Sequence, residues 1–343
     1  MAPNSDIDQR KNRHIEINLQ NDVNSSNTTG LEKFRLVHCA LPEINYSEVD
    51  TSIAIFEKKL EFPILISSMT GGTRRAADLN RILASAAEKH QIAIGVGSQR
   101  IGIEDPVRME SFQIRKYAPT TLVFSNLGAV QLNYGYGVEE CRKSVDSIGA
   151  DALILHLNPL QEALMQNGDT NFANILTKIT TIVKKIPVPV IIKEVGWGID
   201  WKLAKDLYSI GVAAVDVAGC GGTSWSQVEM HRMKNPVRKE IAQGFHHWGI
   251  PTAEAVSMIR SHGLNKLLFA SGGLINGIDI VKCLALGANL CGIARPFLEA
   301  ANQSESQLDR YITVIEEQIK ISMFAIGAKD VSTINHEMIR NIS

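Results

Sequence analysis

Within seven residues the sequence places an imidazole, two amides and a carboxylate: His156, Asn158, Gln161 and Glu162. They stand at the C-terminal end of the apolar run Ala152–Leu157. Groups of this kind suit a hard metal ion or a proton relay better than a packed core, where unpaired polar groups are costly. Other apolar runs end in the same way. Ser67-Ser68-Met69-Thr70-Gly71-Gly72 combines hydroxyls with glycines that let the backbone approach a flat ligand. Gly97-Ser98-Gln99-Arg100 suits an anionic oxygen, or supplies an Arg for a rim ion pair. Asn126 offers a donor–acceptor fork, or serves as a turn residue. Lys193 ends an otherwise apolar run, an expensive place unless it serves a site. It could form a Schiff base, set a positive charge beside an electron-rich ring, or pair with Glu194 or Asp216.

The elements that must position these groups follow from periodicity. Eight short apolar runs recur: Pro63–Ser68, Ile92–Gly95, Thr121–Ser125, Ala152–Leu157, Val188–Lys193, Ala213–Val217, Lys266–Ala270 and Asn289–Ile293. None alternates cleanly with polar residues, the pattern of strands buried on both faces in a parallel sheet. Amphipathic segments separate them, including Ala76–His90, Phe172–Lys185, Ile278–Leu286 and Leu308–Ile326. Gly149, Gly211, Gly263 and Gly287 mark helix ends just before strands. Even spacing favours an α/β fold of one closed (β/α)8 TIM barrel over a doubly wound open sheet. Residues 63–343 form that barrel and residues 1–62 an N-terminal extension contributing to the active site. Asn18–Gly30 is polar and low in complexity and reads as a mobile loop. Gly219–Ile250 is a long insertion after strand six, of the kind that forms lids or binding loops.

On such a barrel the polar run ends gather at the C-terminal face, where chemistry is done. Glycine-rich turns at Ser271-Gly272-Gly273 and Gly292-Ile293-Ala294-Arg295 follow strands seven and eight and face helix N-termini, the usual phosphate cradle. A phosphate there, Lys193 on strand five and hydroxyls on strand one together point to flavin mononucleotide. Arg10, Lys11 and His14 would suit a second anionic group, although in isolation they read as a solvated charge run.

Bulk properties exclude several classes. The chain has 343 residues, 45% hydrophobic and 21% charged, with net charge -1, so nothing points to a nucleic acid or an anionic membrane. No apolar run reaches the length of a membrane span, and Met1–Arg13 has no apolar signal core. Cys39, Cys141, Cys220, Cys283 and Cys291 form no CxxC pair and read as buried free thiols in a reducing, cytoplasmic setting.

These motifs, in order along nearly the whole chain, resemble the type 2 isopentenyl diphosphate isomerases. The run His156-Leu157-Asn158-Pro159-Leu160-Gln161-Glu162 and the Arg10-Lys11 pair make the likeness specific. Met69-Thr70-Gly71-Gly72, Ser125-Asn126-Leu127-Gly128, Lys193-Glu194-Val195-Gly196 and Gly221-Gly222-Thr223 add to it. The resemblance implies reduced FMN, Mg2+, NADPH as flavin reductant, a small prenyl diphosphate substrate, and a homotetramer or homo-octamer. It places FMN on Ser68, Met69, Thr70, Ser98, Asn126, Lys193 and Thr223, and its phosphate on Gly272, Gly273, Ala294 and Arg295. The diphosphate falls to Arg10, Lys11, His14, Ser98, Gln99 and Arg100, with His156 and Asn158 near it. Gln161 faces the substrate and Glu162 binds Mg2+. Ala218 stands where many members carry Ser, and Asn171 where an acidic residue is common.

The implied reaction is a 1,3 proton shift on a weakly basic alkene. Side chains ordinarily do this with a carboxylate pair, but the sequence offers no second carboxylate beside Glu162. The reduced flavin would then move the protons, with Lys193 favouring its anionic form and Gln161 supporting. Trp225 would cover the site or simply pack. A 2-hydroxy-acid oxidase on the same barrel is the alternative, with His246-His247 offered as base but no matching Arg nearby. A non-catalytic flavin-binding scaffold is the third reading, disfavoured by the many polar groups retained at strand ends.

Overall fold

The computed structural model describes residues 13–342. Eight strands close into a parallel barrel: β1 (Ile64–Ile66), β2 (Ala93–Gly95), β3 (Val123–Gly128), β4 (Ala152–Leu157), β5 (Val190–Glu194), β6 (Ala214–Asp216), β7 (Leu267–Ser271) and β8 (Leu290–Ile293). All eight fall on the expected runs. β3 extends past Ser125 to Gly128, so Asn126 is a strand residue and not a turn residue. Each strand is nearly all buried because helices cover the outside and side chains fill the inside.

The helices that matter to the site are α1 (Arg74–His90), α2 (Pro159–Leu164), α3 (Trp225–Arg232), α4 (Pro236–Gln243), α5 (Gly277–Ala285), α6 (Arg295–Gln303) and α7 (Glu305–Ala325). In α1 the side chain of Thr73 caps the Ala76 N–H, and Leu79, Leu83 and Ala87 turn inward at helical spacing. The expected helix-end glycines all take left-handed backbone angles.

At the N-terminal end of the barrel a hairpin, Ile53–Ile55 paired with Lys58–Leu60, closes the floor. Its tip residue Phe56 meets Phe124 edge-on at 6.2 Å, and Phe124 stacks on Phe269 at 6.4 Å. Leu65, Ile154, Ile191 and Leu290 complete this wholly apolar plug.

Two expectations need correction. Segment 18–30 is not a loose loop. Residues 18–20 are the last of a helix over 13–20, Val23 is fully buried, and the backbone is tied down by Ser25 N–Gly222 O, Ser224 N–Val23 O and Ala253 N–Thr29 O bonds. Its polar side chains escaped a composition-based reading because they bond backbone groups instead of packing: Asn27 Nδ2, for one, donates to His247 O at 2.7 Å. Of the thiols, four are buried and all five are free, but Cys39 is only half-buried. Among the described residues no helix is long and apolar enough to cross a membrane.

Candidate active site

A cavity of about 630 Å³ opens at the C-terminal ends of the strands, with helix 13–20 and α3 on its rim. Arg10 and Lys11 lie outside the described residues.

One side of the cavity is built from glycine turns and hydroxyls. After β1, the Oγ atoms of Ser67 and Ser68 are buried without a hydrogen-bond partner among the described residues, an arrangement kept only where something else bonds them. Gly272 has φ +104°, and a Cβ there would lie 2.0 Å from the carbonyl oxygen of Gly219. Only glycine lets the β7 turn press so closely on the β6 turn. Gly272 and Gly273 stand ahead of α5, Ala294 stands at the N-cap of α6, and all three line the cavity. Two adjacent helix entrances suit a phosphate. Arg295 reaches the same end, held by Glu299 at 2.7 Å and Asn24 at 3.3 Å.

Lys193 closes this side. Its Nζ donates to the carbonyl of Glu194 at 2.8 Å and stands 3.8 Å from Asp216 Oδ2, while Ser271 donates to Asp216 Oδ1 at 2.7 Å. Adjacent strands thereby fix one ammonium on the cavity wall, paired with Asp216. Glu194 points the other way. Burial pushes its carboxyl up to about 7 even though the N–H groups of Val195, Gly196 and Trp197 all donate to it. Ala218, beside this turn, holds a positive φ of 38°. Asn171 uses its side chain locally, accepting from Ala173 N.

The opposite side is a chain of hard oxygens and amides. Asn158 Nδ2 donates to Glu162 Oε1 at 2.9 Å and to Gln161 Oε1 at 3.2 Å. Gln161 Nε2 donates to Glu229 Oε1 at 3.1 Å. His156 Nδ1 sits 2.8 Å from Asn126 Oδ1, so a neutral ring carries its proton there and its lone pair on Nε2. The buried Oδ1 of Asn158 has no partner among the described residues. Among those residues no three His, Cys, Asp or Glu side chains form a metal cage. One carboxylate with a neighbouring amide oxygen instead suits a Mg2+ that draws the rest of its shell from water and phosphate.

The structure brings together Ser68, Met69, Thr70, Ser98, Arg100, Asn126, His156, Lys193 and Thr223 with the cluster after β4. Gln99 does not join them. It is fully buried, donating to Ser144 O at 2.9 Å and accepting from Asn126 N at 3.0 Å, so it braces β3 from behind. Gln99 caps the helix that begins at Arg100, and its side chain turns away from the cavity that Ser98 lines.

Three residues went unread in the sequence. Glu229 is a second carboxylate next to the cluster, bonded to Gln161. It is 2% exposed, and although burial opposes its charge, His14, Arg232 and Gln161 hold it below the usual carboxylate range. Trp225 and Glu229 share a face of α3 at i, i+4, the one signal available, and Trp225 meets the His14 ring edge-on at 5.3 Å. Asp169 and Gln131 complete the wall beside Arg100. His246 and His247 do not line the cavity; they bind segment 24–27 through Asn24 O and Ser26 Oγ. The hydroxy-acid oxidase reading thus loses its base.

Comparison with known proteins agrees with this geometry. Residues 156–341 match the model of the FMN-dependent dehydrogenase family. An isopentenyl-diphosphate delta-isomerase of Nostoc sp. is 47% identical over 328 residues, 95% of this chain and 94% of that protein. One from Rickettsia bellii is 48% identical over 332 residues, 97% of each. Among solved structures, flavocytochrome b2 with sulfite bound superposes with a TM-score of 0.70 at 17% identity, covering 96% of this chain and 83% of that one. A mandelate oxidase with a monooxide FMN adduct gives 0.65 at 16%, covering 99% of both. Those two share the fold alone. By near-full-length identity, the chain belongs to the isopentenyl-diphosphate delta-isomerase family, built on the FMN-dependent dehydrogenase barrel.

Proposed function

We propose that this enzyme interconverts isopentenyl and dimethylallyl diphosphate by a 1,3 proton shift, with reduced FMN and Mg2+ bound and NADPH as the source of electrons. The observation that supports the reading is the meeting, in one cavity, of a glycine-and-hydroxyl cradle with Asn158, Gln161 and Glu162, backed by the buried Glu229.

Ser68, Met69, Thr70, Ser98, Asn126, Lys193 and Thr223 would hold the FMN ring and ribityl chain, and Gly272, Gly273, Ala294 and Arg295 its phosphate. When bound, reduced FMN would supply an electron-rich face and exchangeable protons. The Lys193 ammonium, fixed by Glu194 O, would favour negative charge on a bound flavin. Glu162 and the free oxygen of Asn158 would hold Mg2+ on the diphosphate, with Arg100, Arg10, Lys11 and His14 balancing the remaining charge. Gln161, tied to Asn158 and Glu229, would orient the alkene in a supporting role. His156, held by Asn126, would stand beside the diphosphate. Trp225 and helix 13–20 exclude water above the substrate. In this reading residues 1–62 complete the site of a barrel spanning 63–343, in a cytoplasmic homotetramer or homo-octamer.

The test is an anaerobic assay with FMN, Mg2+ and NADPH or dithionite. Dimethylallyl diphosphate formed many times over per flavin, only with reduced flavin, is expected. Flavin bound and reducible with no product would sink the reading.

A further inference from the structure

Arg100 and Glu162 come from different strand ends, yet one residue touches both. Asp169 takes a hydrogen bond from Arg100 on its side-chain Oδ2 and gives its own backbone N–H to Glu162 Oε2 at 2.7 Å. Gln131 Nε2 donates to the same Oδ2 at 2.7 Å, bracing the carboxylate from behind. The approach is permitted by Gly168, where a Cβ would fall 2.0 Å from the Glu162 carbonyl oxygen. Glu162 is thus oriented from two sides, Asn158 on Oε1 and Asp169 on Oε2. Arg100 also bonds Glu104 at 2.9 Å and remains 40% exposed on the cavity side, so its direction rather than its charge depends on Asp169.

We propose that Asp169 is a positioning residue that aligns the anion-binding Arg100 and the metal-binding Glu162 as one unit, so that diphosphate and divalent cation each tighten the other. This rests on the isomerase reading above. Both groups contact one residue, Arg100 at its side chain and Glu162 at its backbone N–H, so ordering one favours the order of the other.

The experiment uses FMN-loaded protein, Mn2+ as the cation and inorganic pyrophosphate as the anion, each titrated alone and with the other. In the parent chain each ligand should strengthen the other. Asp169→Ala should weaken pyrophosphate about tenfold, the factor of one charge-assisted hydrogen bond, and cut the mutual strengthening by a similar factor. Asp169→Asn keeps an acceptor for Arg100 and the backbone N–H, and should fall between; it carries the test if the alanine variant does not fold. KM for the prenyl diphosphate should rise with kcat changed less than about threefold, a split that general loosening would not produce. Unchanged affinity and coupling in both variants overturn the proposal, as does tighter pyrophosphate binding, which would make Asp169 a restraint on Arg100. A parent chain that binds neither ligand overturns the isomerase reading along with it.

Discussion

The two ends of the barrel are made from the same eight strands and obey opposite rules. At the N-terminal end Phe56, Phe124 and Phe269 pack ring on ring, with Leu65, Ile154 and Ile191 around them and no polar side chain among them. At the C-terminal end the same strands lead into Ser68, Asn126, His156, Lys193 and Asp216, and Ser68 Oγ and Asp216 Oδ2 are buried without a hydrogen-bond partner among the described residues. The lesson is a division of labour along each strand. A dry plug supplies stability, and only because it does can the other end keep unsatisfied polar groups, each a cost to folding, ready for ligands.

The sharpest way to break this contrast is to damage the plug. Phe269→Ala, at a fully buried ring, should destabilise by about 3–5 kcal/mol. Urea unfolding should show that loss, while turnover per folded, FMN-loaded molecule stays within about twofold. If turnover collapses instead, the ends are not independent. The converse, Glu162→Ala, should lower kcat/KM by about 10²–10³-fold, the range for losing one charged group at a reacting centre, with little change in melting temperature. A large drop in melting temperature would make Glu162 part of the scaffold.

The smallest effect lies on the flank, away from both ends. His90, at the end of α1, bonds Glu316 and Asp309 of α7, each at 2.9 Å. Burial works against its charge, but the two carboxylates prevail and raise its pKa above 6.5. A raised histidine pKa gives stability that is full below about 6.5 and fades as pH climbs through the folded-state value. The gain is about 1 kcal/mol, because Asp309 is partly exposed. Melting curves of the parent and His90→Gln against pH should converge on the alkaline side; a constant gap would make the contact packing and not charge.

Much of this was legible from residues alone, and the misses have a pattern. Lys193 and Asn126 could be read because an apolar strand gives a polar residue nowhere to go but the site. Gln99 misled because, at the start of the helix that follows β2, its side chain turns away from the cavity that Ser98 and Arg100 line, a direction that spacing alone does not give. Glu229 was hidden because α3 belongs to an insertion whose placement over the cavity has no local signal. Asp169 was hidden because its bonds to Arg100 and Gln131 span 69 and 38 residues of sequence.

The sequence by itself determined the barrel, its eight strands, the glycine turns and the cluster after β4. Each is a local matter: hydrophobic period, a turn that tolerates only glycine, a side chain too polar for its strand. Only the tertiary structure decided that Glu229 faces Gln161, that segment 18–30 is laced to the insertion, and that Asp169 joins Arg100 to Glu162. Those are meetings of distant segments, and they exist because closing the barrel brings eight strand ends into one ring whatever their separation along the chain.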